Sequence, residues 1–191
     1  NKSENINVWS YLEEYEDYDN EILEIVSKVF KSGKLILGNN VKEFEENFSK
    51  WLGSKYGTGV GNGTDAIKLA LLALEIGKDD EVITVSNTAV PTISAIVETG
   101  AKPVFCDVTE KDYNISVEAI EELITKKTKA IVCVHLYGHP AEIKKINSIC
   151  KKYNLKLIED CAQSHGSKYK DRFTGSFGDI SAFSFYPTKI L

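Results

Sequence analysis

Five short apolar runs, separated by stretches of helical periodicity, constrain the fold of this 191-residue chain more than any other feature. Each run is continuous rather than alternating, which is typical of strands that are buried on both faces of a parallel sheet. The runs span residues 82–86, 103–108, 130–138, 155–160 and 179–185. The patterns between them predict helices over residues 91–100, 116–125 and 141–154. We therefore expect an α/β fold in which helices flank a mainly parallel sheet.

The first 60 or so residues have a different pattern. Residues 1–19 are acidic and rich in tyrosine, without strong periodicity, and we expect an exposed N-terminal arm. A helix is predicted from Asn20 to Gly33, and a second one is predicted to be capped by Asn39 and ended by Gly53. A third helix, over residues 64–76, follows a glycine-rich turn. Residues 20–191 are interpreted as one large domain of a longer protein.

Composition excludes several classes of function. The net charge of -5 argues against nucleic-acid binding, and no apolar run approaches the ~18 residues of a membrane span. Four cysteines without a CxxC pair indicate reduced, mostly buried thiols in a cytoplasmic protein. The three histidines lack metal-ligand spacing to the cysteines, so no metal site is expected.

The residues that follow the strands are the candidate functional residues, because ligands of such sheets collect at the carboxyl ends of the strands. These positions carry polar side chains, namely Ser86, Asn87, Thr88, Asp107, His135, Tyr137, Glu159, Asp160, Gln163, Ser184 and Lys189.

The glycine-rich turn GVGNGTDA, residues 59–66, is a candidate phosphate site. Glycines allow close approach of the backbone, and free N–H groups at a helix start favour an anion. A tight turn with Thr64 as an ordinary helix cap explains the pattern equally well. A dinucleotide site is disfavoured, because the acidic residues at 79–81 precede the next strand instead of ending it.

Asp160 and Lys189 are the candidate catalytic pair. A carboxylate at a buried strand end needs a positive partner, which is either a structural lysine or the protonated nitrogen of a pyridine ring. Lys189 follows the aromatic segment SFYPT, where a dry pocket would make its amine nucleophilic. With Ser184 and the glycine-rich turn as phosphate ligands, these groups point to pyridoxal 5'-phosphate (PLP).

Six ordered motifs support that hypothesis by resemblance. NGTDA, SNTAVPT, VHLYG, EDCAQSHG, GSFGD and SFYPTK resemble motifs of the DegT/DnrJ/EryC1/StrS sugar aminotransferases. The resemblance implies the fold type I (aspartate-aminotransferase-like) architecture of PLP enzymes. Residues 20–191 would then be the large PLP-binding domain, without the C-terminal small domain.

The resemblance also implies roles for individual residues. Lys189 would bond covalently to the cofactor, and Asp160 would pair with its pyridine nitrogen. Gln163 would contact the 3-oxygen of the ring. The phosphate would be bound by Ser184 and by the segment Gly63, Thr64 and Asp65. Many family members carry a ring-stacking aromatic residue where this chain has Ala89 and Val90, so we assign that face to Val90.

The activity implied is transfer of an amino group from L-glutamate to a nucleotide-linked keto-deoxysugar for surface polysaccharides. The motif variants resemble the subgroup that acts on dTDP-3-keto-6-deoxyhexoses, and a 4-keto UDP- or dTDP-sugar is the alternative. Relatives with histidine in place of the lysine are dehydratases, so Lys189 favours transamination. The family implies a homodimer with composite sites. A non-catalytic nucleotide-binding module and a PLP-binding regulator are the alternatives from other classes.

Overall fold

The structure, a computed structural model, describes residues 10–189, apart from the side chains of residues 13 and 14. The chain divides into two compact units, residues 1–59 and 60–191. The first unit contains helices α1 (Leu12–Ser32) and α2 (Asn39–Leu52). Both helices end at the predicted glycines, Gly33 and Gly53, whose φ angles of 68° and 78° are the left-handed conformation that glycine favours there.

The starts of both helices differ from the prediction. α1 begins at Leu12 rather than Asn20, so residues 12–19 of the expected arm are helical, and residues 1–9 lie outside the described residues. Acidic residues suit the first turns of a helix, which explains the longer element. α2 is preceded by an extended Gly38, and Asn39 is its first helical residue rather than its cap. A Cβ at Gly38 would lie 2.8 Å from the Lys34 carbonyl oxygen, so this entry to the helix requires glycine.

The second unit is built on a parallel sheet, as the apolar runs predict. Its strands are β1 (Glu81–Val85), β2 (Lys102–Cys106), β3 (Thr128–Val134), β4 (Lys156–Asp160), β5 (Lys168–Tyr169), β6 (Arg172–Phe173) and β7 (Ile180–Ala182). Five of them form the sheet in the order β2-β1-β3-β4-β7, and every neighbouring pair is parallel. The remaining two, β5 and β6, form a small antiparallel hairpin that the sequence did not predict.

Helices cover both faces of this sheet. They are α3 (Gly63–Ala73), α4 (Val90–Glu98), α5 (Val117–Ile120) and α6 (Ile143–Tyr153). Adjacent residues of a strand point to opposite faces. Val82 accordingly joins the apolar cluster that contains α3 and α4, whereas Ile83 joins the cluster that contains α5 and α6. This two-faced core confirms the α/β fold.

Several elements are shorter than predicted, among them α5, β3 and β7. α5 gives way to a 3₁₀ turn at Glu121, and the hydroxyl of Thr128 accepts the Thr125 N–H that would otherwise continue the helix. β3 ends at Val134, before a 3₁₀ turn at Leu136–Gly138. β7 ends at Ala182, because its partner β4 ends at Asp160, with which Ala182 pairs. Ser184 therefore lies in the segment after the strand and not within it.

The strand order reverses at the place where ligands usually bind in such sheets. From β1 the chain continues outward to β2, whereas β3, β4 and β7 extend in the other direction. The order thus reverses between the carboxyl ends of β1 and β3, and this reversal is the usual ligand position of open α/β sheets. Within residues 10–189, no helix has the length and apolar character needed to cross a membrane.

Candidate active site

The carboxyl edge of the sheet brings together residues that are distant in sequence. Asp160 is the last residue of β4, and Ser184 and Lys189 follow β7. Thr92, in the first turn of α4, reaches Asp160 from the segment that follows β1. The structure thus places the predicted acid, lysine and serine along one edge.

Asp160 is a buried carboxylate with two fixed donors. Its side chain is only 5% exposed. The Thr92 hydroxyl donates to Oδ2 at 2.7 Å, and the Ala162 N–H donates to Oδ1 at 3.1 Å. The ion pairs among the described residues do not include Asp160. The structural alternative, a lysine salt bridge that neutralises this acid, is therefore not seen within residues 10–189.

The groups around Asp160 only partly offset the cost of burying its charge, so a cationic ligand would stabilise the ionised carboxylate. Burial raises the pKa of Asp160 above its usual range. The hydrogen bonds from Thr92 and Ala162 and the positive charge of Lys189 oppose that rise in pKa without cancelling it. A protonated pyridine nitrogen placed against this carboxylate would remove the remaining cost of burying its charge.

Lys189 lies at the end of a tight turn after β7. Its backbone N–H donates to the Tyr186 carbonyl at 2.7 Å, and the residue is half-buried. Its positive charge opposes the burial-driven rise in the pKa of Asp160 and adds to the fall in the pKa of His165, so both side chains lie within its electrostatic reach. The predicted acid and the predicted lysine therefore share one environment.

His165 is a site residue for which sequence reasoning found no role. It is 7% exposed, and neither of its ring nitrogens has a hydrogen-bond partner within residues 10–189. Burial, followed by the charge of Lys189, lowers its pKa, so the ring is neutral at pH 7. The ring packs against Phe183 and Phe185, with centroid distances of 5.4 and 5.2 Å, and so lies behind the segment that carries Ser184.

Ser184 and Gly63 form the candidate phosphate cradle. Ser184 is 9% exposed and lies beside the first residue of α3. A Cβ at Gly63 would approach the Ser184 Cβ to 3.0 Å and its Oγ to 3.3 Å. Only glycine therefore leaves space between the serine hydroxyl and the N-terminus of α3, where backbone N–H groups favour an anion.

The start of α3 differs in detail from the prediction. The residue that caps the helix is Asn62, not Thr64, and its side-chain oxygen accepts the Asp65 N–H at 2.8 Å. The Asp65 N–H is thus already used and does not point to a phosphate. Gly63 and Thr64 are the first two helical residues, so their N–H groups remain the predicted anion donors.

Gln163 is oriented by a backbone contact. Its side-chain oxygen accepts the Tyr137 N–H at 2.9 Å. Since an N–H group requires an acceptor, this bond fixes the amide, and the NH₂ group faces the other way as a donor. That orientation suits the predicted contact with the 3-oxygen of a pyridine ring.

Val90, the predicted ring-stacking residue, is the first residue of α4 and is 74% exposed. It does not join the buried cluster around Asp160, although Thr92, two residues later, does. Its role stays a prediction.

The spacing argument about metals overlooked one cluster. Ligand atoms of His135, Glu159 and Cys161 lie within 4.8 Å of one another. Glu159 is completely buried and accepts hydrogen bonds from His135 and from three backbone N–H groups, those of Gly175, Phe177 and Gly178, at 2.7–3.0 Å. The cluster is thus a satisfied structural network, and the continuous apolar pattern of the strands gave no signal for it.

Burial alone would raise the pKa of Glu159, but the hydrogen bonds from His135 and from the backbone N–H groups hold it below the usual range. The Ala141 N–H donates to His135 Nδ1 at 3.1 Å, so the proton of a neutral imidazole is on Nε2, facing Glu159.

The arrangement fits PLP in three ways. A buried acid without an ion pair among the described residues suits the ring nitrogen, a glycine-limited cradle beside Ser184 suits the phosphate, and Lys189 follows β7 at the edge of the sheet that carries the acid. These three groups converge on one edge of the sheet.

Comparison with known proteins agrees with this geometry. The profile of the DegT/DnrJ/EryC1/StrS aminotransferase family matches residues 16–191. The chain is 50% identical over 184 residues to dTDP-3-amino-3,4,6-trideoxy-alpha-D-glucose transaminase from Micromonospora megalomicea subsp. nigra, a match that covers 96% of this chain and 49% of the relative. It is 49% identical over 154 residues to GDP-perosamine synthase from Escherichia coli O157:H7, covering 81% of this chain and 42% of the relative.

A solved structure extends the likeness to three dimensions. The crystal structure of NtdA from Bacillus subtilis with bound cofactor PMP is similar with a TM-score of 0.88 and 34% identity, covering 99% of this chain and 43% of that one. The chain spans about half the length of the curated relatives it matches.

Proposed function

This chain belongs to the DegT/DnrJ/EryC1/StrS aminotransferase family, and we propose that the full-length protein is a PLP-dependent transaminase that transfers an amino group from L-glutamate to a nucleotide-linked keto sugar. PLP is the cofactor of this family. The observation that carries the proposal is the convergence of Asp160, Lys189 and the cradle between Gly63 and Ser184 on one edge of the sheet.

Each residue has a chemical task in this proposal. When bound, PLP supplies an aldehyde carbon and an electron-accepting ring. Asp160 keeps a proton on the ring nitrogen, which maintains the positive charge of the ring. Gly63, Thr64 and Ser184 hold the phosphate, and Gln163 donates to the 3-oxygen. Val90 covers one face of the ring.

Lys189 is proposed to bind the cofactor and to act as the general base and acid. Its Nζ removes a proton from the α-carbon of the amino donor and returns a proton to the neighbouring cofactor carbon. The position of Lys189 after β7, on the edge that carries Asp160, and its electrostatic effect on that acid support this assignment.

The proposed acceptor is a dTDP-3-keto-6-deoxyhexose in the synthesis of amino sugars for surface polysaccharides. Support comes from the relative named as a transaminase of a dTDP-3-amino sugar at 50% identity. The relative named as GDP-perosamine synthase, at 49% identity, favours a second candidate, a keto sugar on another nucleotide or with the keto group at C4.

A panel of 3-keto and 4-keto sugars on dTDP, UDP and GDP, compared by kcat/KM, distinguishes the two candidate acceptors. We expect the dTDP-3-keto sugar to give the highest kcat/KM, and a higher value for any other acceptor would contradict this choice.

Changing Lys189→Ala tests the function itself. The full-length wild-type protein should show the visible absorption of bound PLP, lose it on addition of glutamate, and carry the cofactor on Lys189 after borohydride reduction. Lys189→Ala should lose turnover and the covalent label, whereas Lys151→Ala, an exposed lysine on α6, should keep both. Turnover retained by Lys189→Ala would contradict the proposal.

A non-catalytic nucleotide-binding module would show no visible band, and a PLP-binding regulator would keep the band but aminate no keto sugar.

Assembly and location complete the proposal. We propose a homodimer with composite active sites, in which residues outside this chain bind much of the sugar. The four cysteines are all free and buried, which suits the reducing cytoplasm.

A further inference from the structure

Thr92 is a buried polar residue to which the site described so far gives no task. Its side chain is 1% exposed, and its Oγ1 lies 2.7 Å from Asp160 Oδ2 and 2.8 Å from Thr88 Oγ1. Three side chains from two different segments thus form one hydrogen-bonded chain that ends on the predicted catalytic acid.

When Asp160 is ionised, the donor and the acceptor of each hydrogen bond in the series Thr88–Thr92–Asp160 are defined. A carboxylate only accepts, so the single hydrogen of the Thr92 hydroxyl must point to Asp160. The Thr92 oxygen is then an acceptor, and Thr88 must donate to it. Both hydroxyl dipoles therefore point at the carboxylate, and each polarises the next.

The chain also fixes the orientation of the carboxylate. Ala162 N–H holds Oδ1 at 3.1 Å, and Thr92 holds Oδ2. With one donor on each oxygen, rotation of the carboxylate would break a bond in a site from which water is excluded. The remaining lone pairs stay available, in one direction, for a further donor.

We propose that Thr92, oriented by Thr88, is a positioning residue that holds the Asp160 carboxylate ionised and aimed at the ring nitrogen of the cofactor. This inference rests on the proposed function of the site. Thr92 touches neither substrate nor cofactor in this assignment and acts through Asp160.

The surroundings of Asp160 make such a donor necessary. The charged and titratable groups that face it are His135, Lys189 and the thiols of Cys133 and Cys161. Burial favours the neutral acid, and the Thr92 hydroxyl is the strongest of the groups that oppose this effect. Without the hydroxyl, the acid would hold its own proton more tightly and would hold the ring proton less well.

The test compares two variants of the full-length enzyme. Thr92→Val removes the hydroxyl at nearly constant shape, and Thr92→Ser keeps the hydroxyl. Both are loaded with PLP that carries ¹⁵N at the ring nitrogen. In Thr92→Val the ¹⁵N resonance should move from the protonated towards the unprotonated position. The kcat should fall about 10- to 100-fold, the range expected for loss of a hydrogen bond to a buried charged group. The acid limb of the pH profile should move to higher pH. Thr92→Ser should resemble the wild type in all three measurements.

A matched control separates this effect from loss of any buried hydroxyl. Thr84 is completely buried in β1, and its hydroxyl donates to the Val132 carbonyl at 3.0 Å. Thr84→Val should leave the ¹⁵N resonance in place. If Thr84→Val moves the resonance as far as Thr92→Val does, or if Thr92→Ser is as impaired as Thr92→Val, the inference is overturned.

The role of Thr88 is tested by a double-mutant cycle. If Thr88 acts through Thr92, Thr88→Val should give a smaller effect of the same sign, and the double variant should be no worse than Thr92→Val alone. Fully additive effects of the two substitutions would contradict the proposal that Thr88 acts through Thr92.

Asp160→Asn distinguishes the failure of this inference from the failure of the proposed function. An Asp160→Asn enzyme with near-normal kcat would refute the function assigned to the acid. If Asp160→Asn is inactive while Thr92→Val keeps the wild-type ¹⁵N resonance and kcat, the inference about Thr92 fails alone.

Discussion

Gly63 is the position where the structure limits substitution near the cradle most sharply. Its neighbour across the cradle is Ser184, whose Cβ would lie 3.0 Å from an added methyl group. The backbone of Gly63 is helical and not left-handed, so alanine is compatible with the helix itself. The requirement for glycine at this position therefore comes from space and not from the backbone conformation.

Gly63→Ala should accordingly weaken PLP binding by about tenfold, because the methyl group overpacks the space beside Ser184. The unfolding temperature of the cofactor-free protein should change little, since the higher helix preference of alanine offsets part of the cost of this overpacking. Gly61→Ala, in the same turn, is the control, because its Cβ would meet only the movable end of Asp65. Equal PLP affinity of Gly63→Ala and the wild type, measured by titration, would exclude a phosphate at this place.

At the scale of elements, the loop between the β5–β6 hairpin and β7 depends on one carboxylate. Glu159 accepts the backbone N–H groups of Gly175, Phe177 and Gly178, and this loop leads directly into the strand before Ser184 and Lys189. The Glu159 carboxylate thus takes the place of a neighbouring strand as the hydrogen-bond acceptor. Without it, these three backbone N–H groups would lack an acceptor. The role of Glu159 is to hold the element, whereas the neighbouring Asp160 faces the site.

Glu159→Gln should lower the free energy of unfolding of the full-length protein by about 3 kcal/mol, because the amide NH₂ group faces N–H donors and the charge is lost. The pKa of Glu159 is depressed in the folded state, so its contribution is complete above the ordinary carboxyl pKa and disappears as pH falls through the depressed value. The difference between wild type and variant should therefore be largest at neutral pH and shrink in acid. The exposed Glu118→Gln serves as control, and a Glu159→Gln protein as stable as the wild type at pH 7 would show that the network is dispensable.

For the molecule as a whole, the sequence has a single arginine, and its guanidinium group already has partners in its own segment. Arg172 in β6 donates to the Ser176 carbonyl and lies over the Phe177 ring, with its guanidinium carbon 4.3 Å from the ring centroid. It stabilises its own hairpin and so does not offer the bidentate clamp that many amino-acid transaminases use for a donor carboxylate. This supports the proposal that residues outside this chain complete the site.

If the site is composite, activity should depend on assembly. The full-length enzyme should behave as a dimer in light scattering, and its specific activity should fall when it is diluted below the dissociation constant of the dimer. PLP at saturating concentration should raise the unfolding temperature and reduce this loss. A fully active monomer at high dilution would contradict a composite site.

The parallel sheet could be predicted from the amino-acid sequence, since continuous apolar runs such as residues 130–134 are typical of strands that are buried on both faces. The sequence also determined that residues after those strands would share an edge, because parallel strands end on the same side. Asp160 and Lys189 could be identified in this way, with the resemblance of the motifs supplying their roles.

The hydrogen-bond partners of those residues, in contrast, depend on how the chain packs. Thr92 and Asp160 are 68 residues apart, and Glu159 binds donors 16–19 residues away, so no local pattern encodes these contacts. The shortening of β7 likewise follows from the end of its neighbour β4, and the capping of α3 by Asn62 takes the Asp65 N–H away from the predicted phosphate. Periodicity reports which face of an element is buried, whereas a hydrogen bond depends on the distance between atoms that only the packed chain brings together.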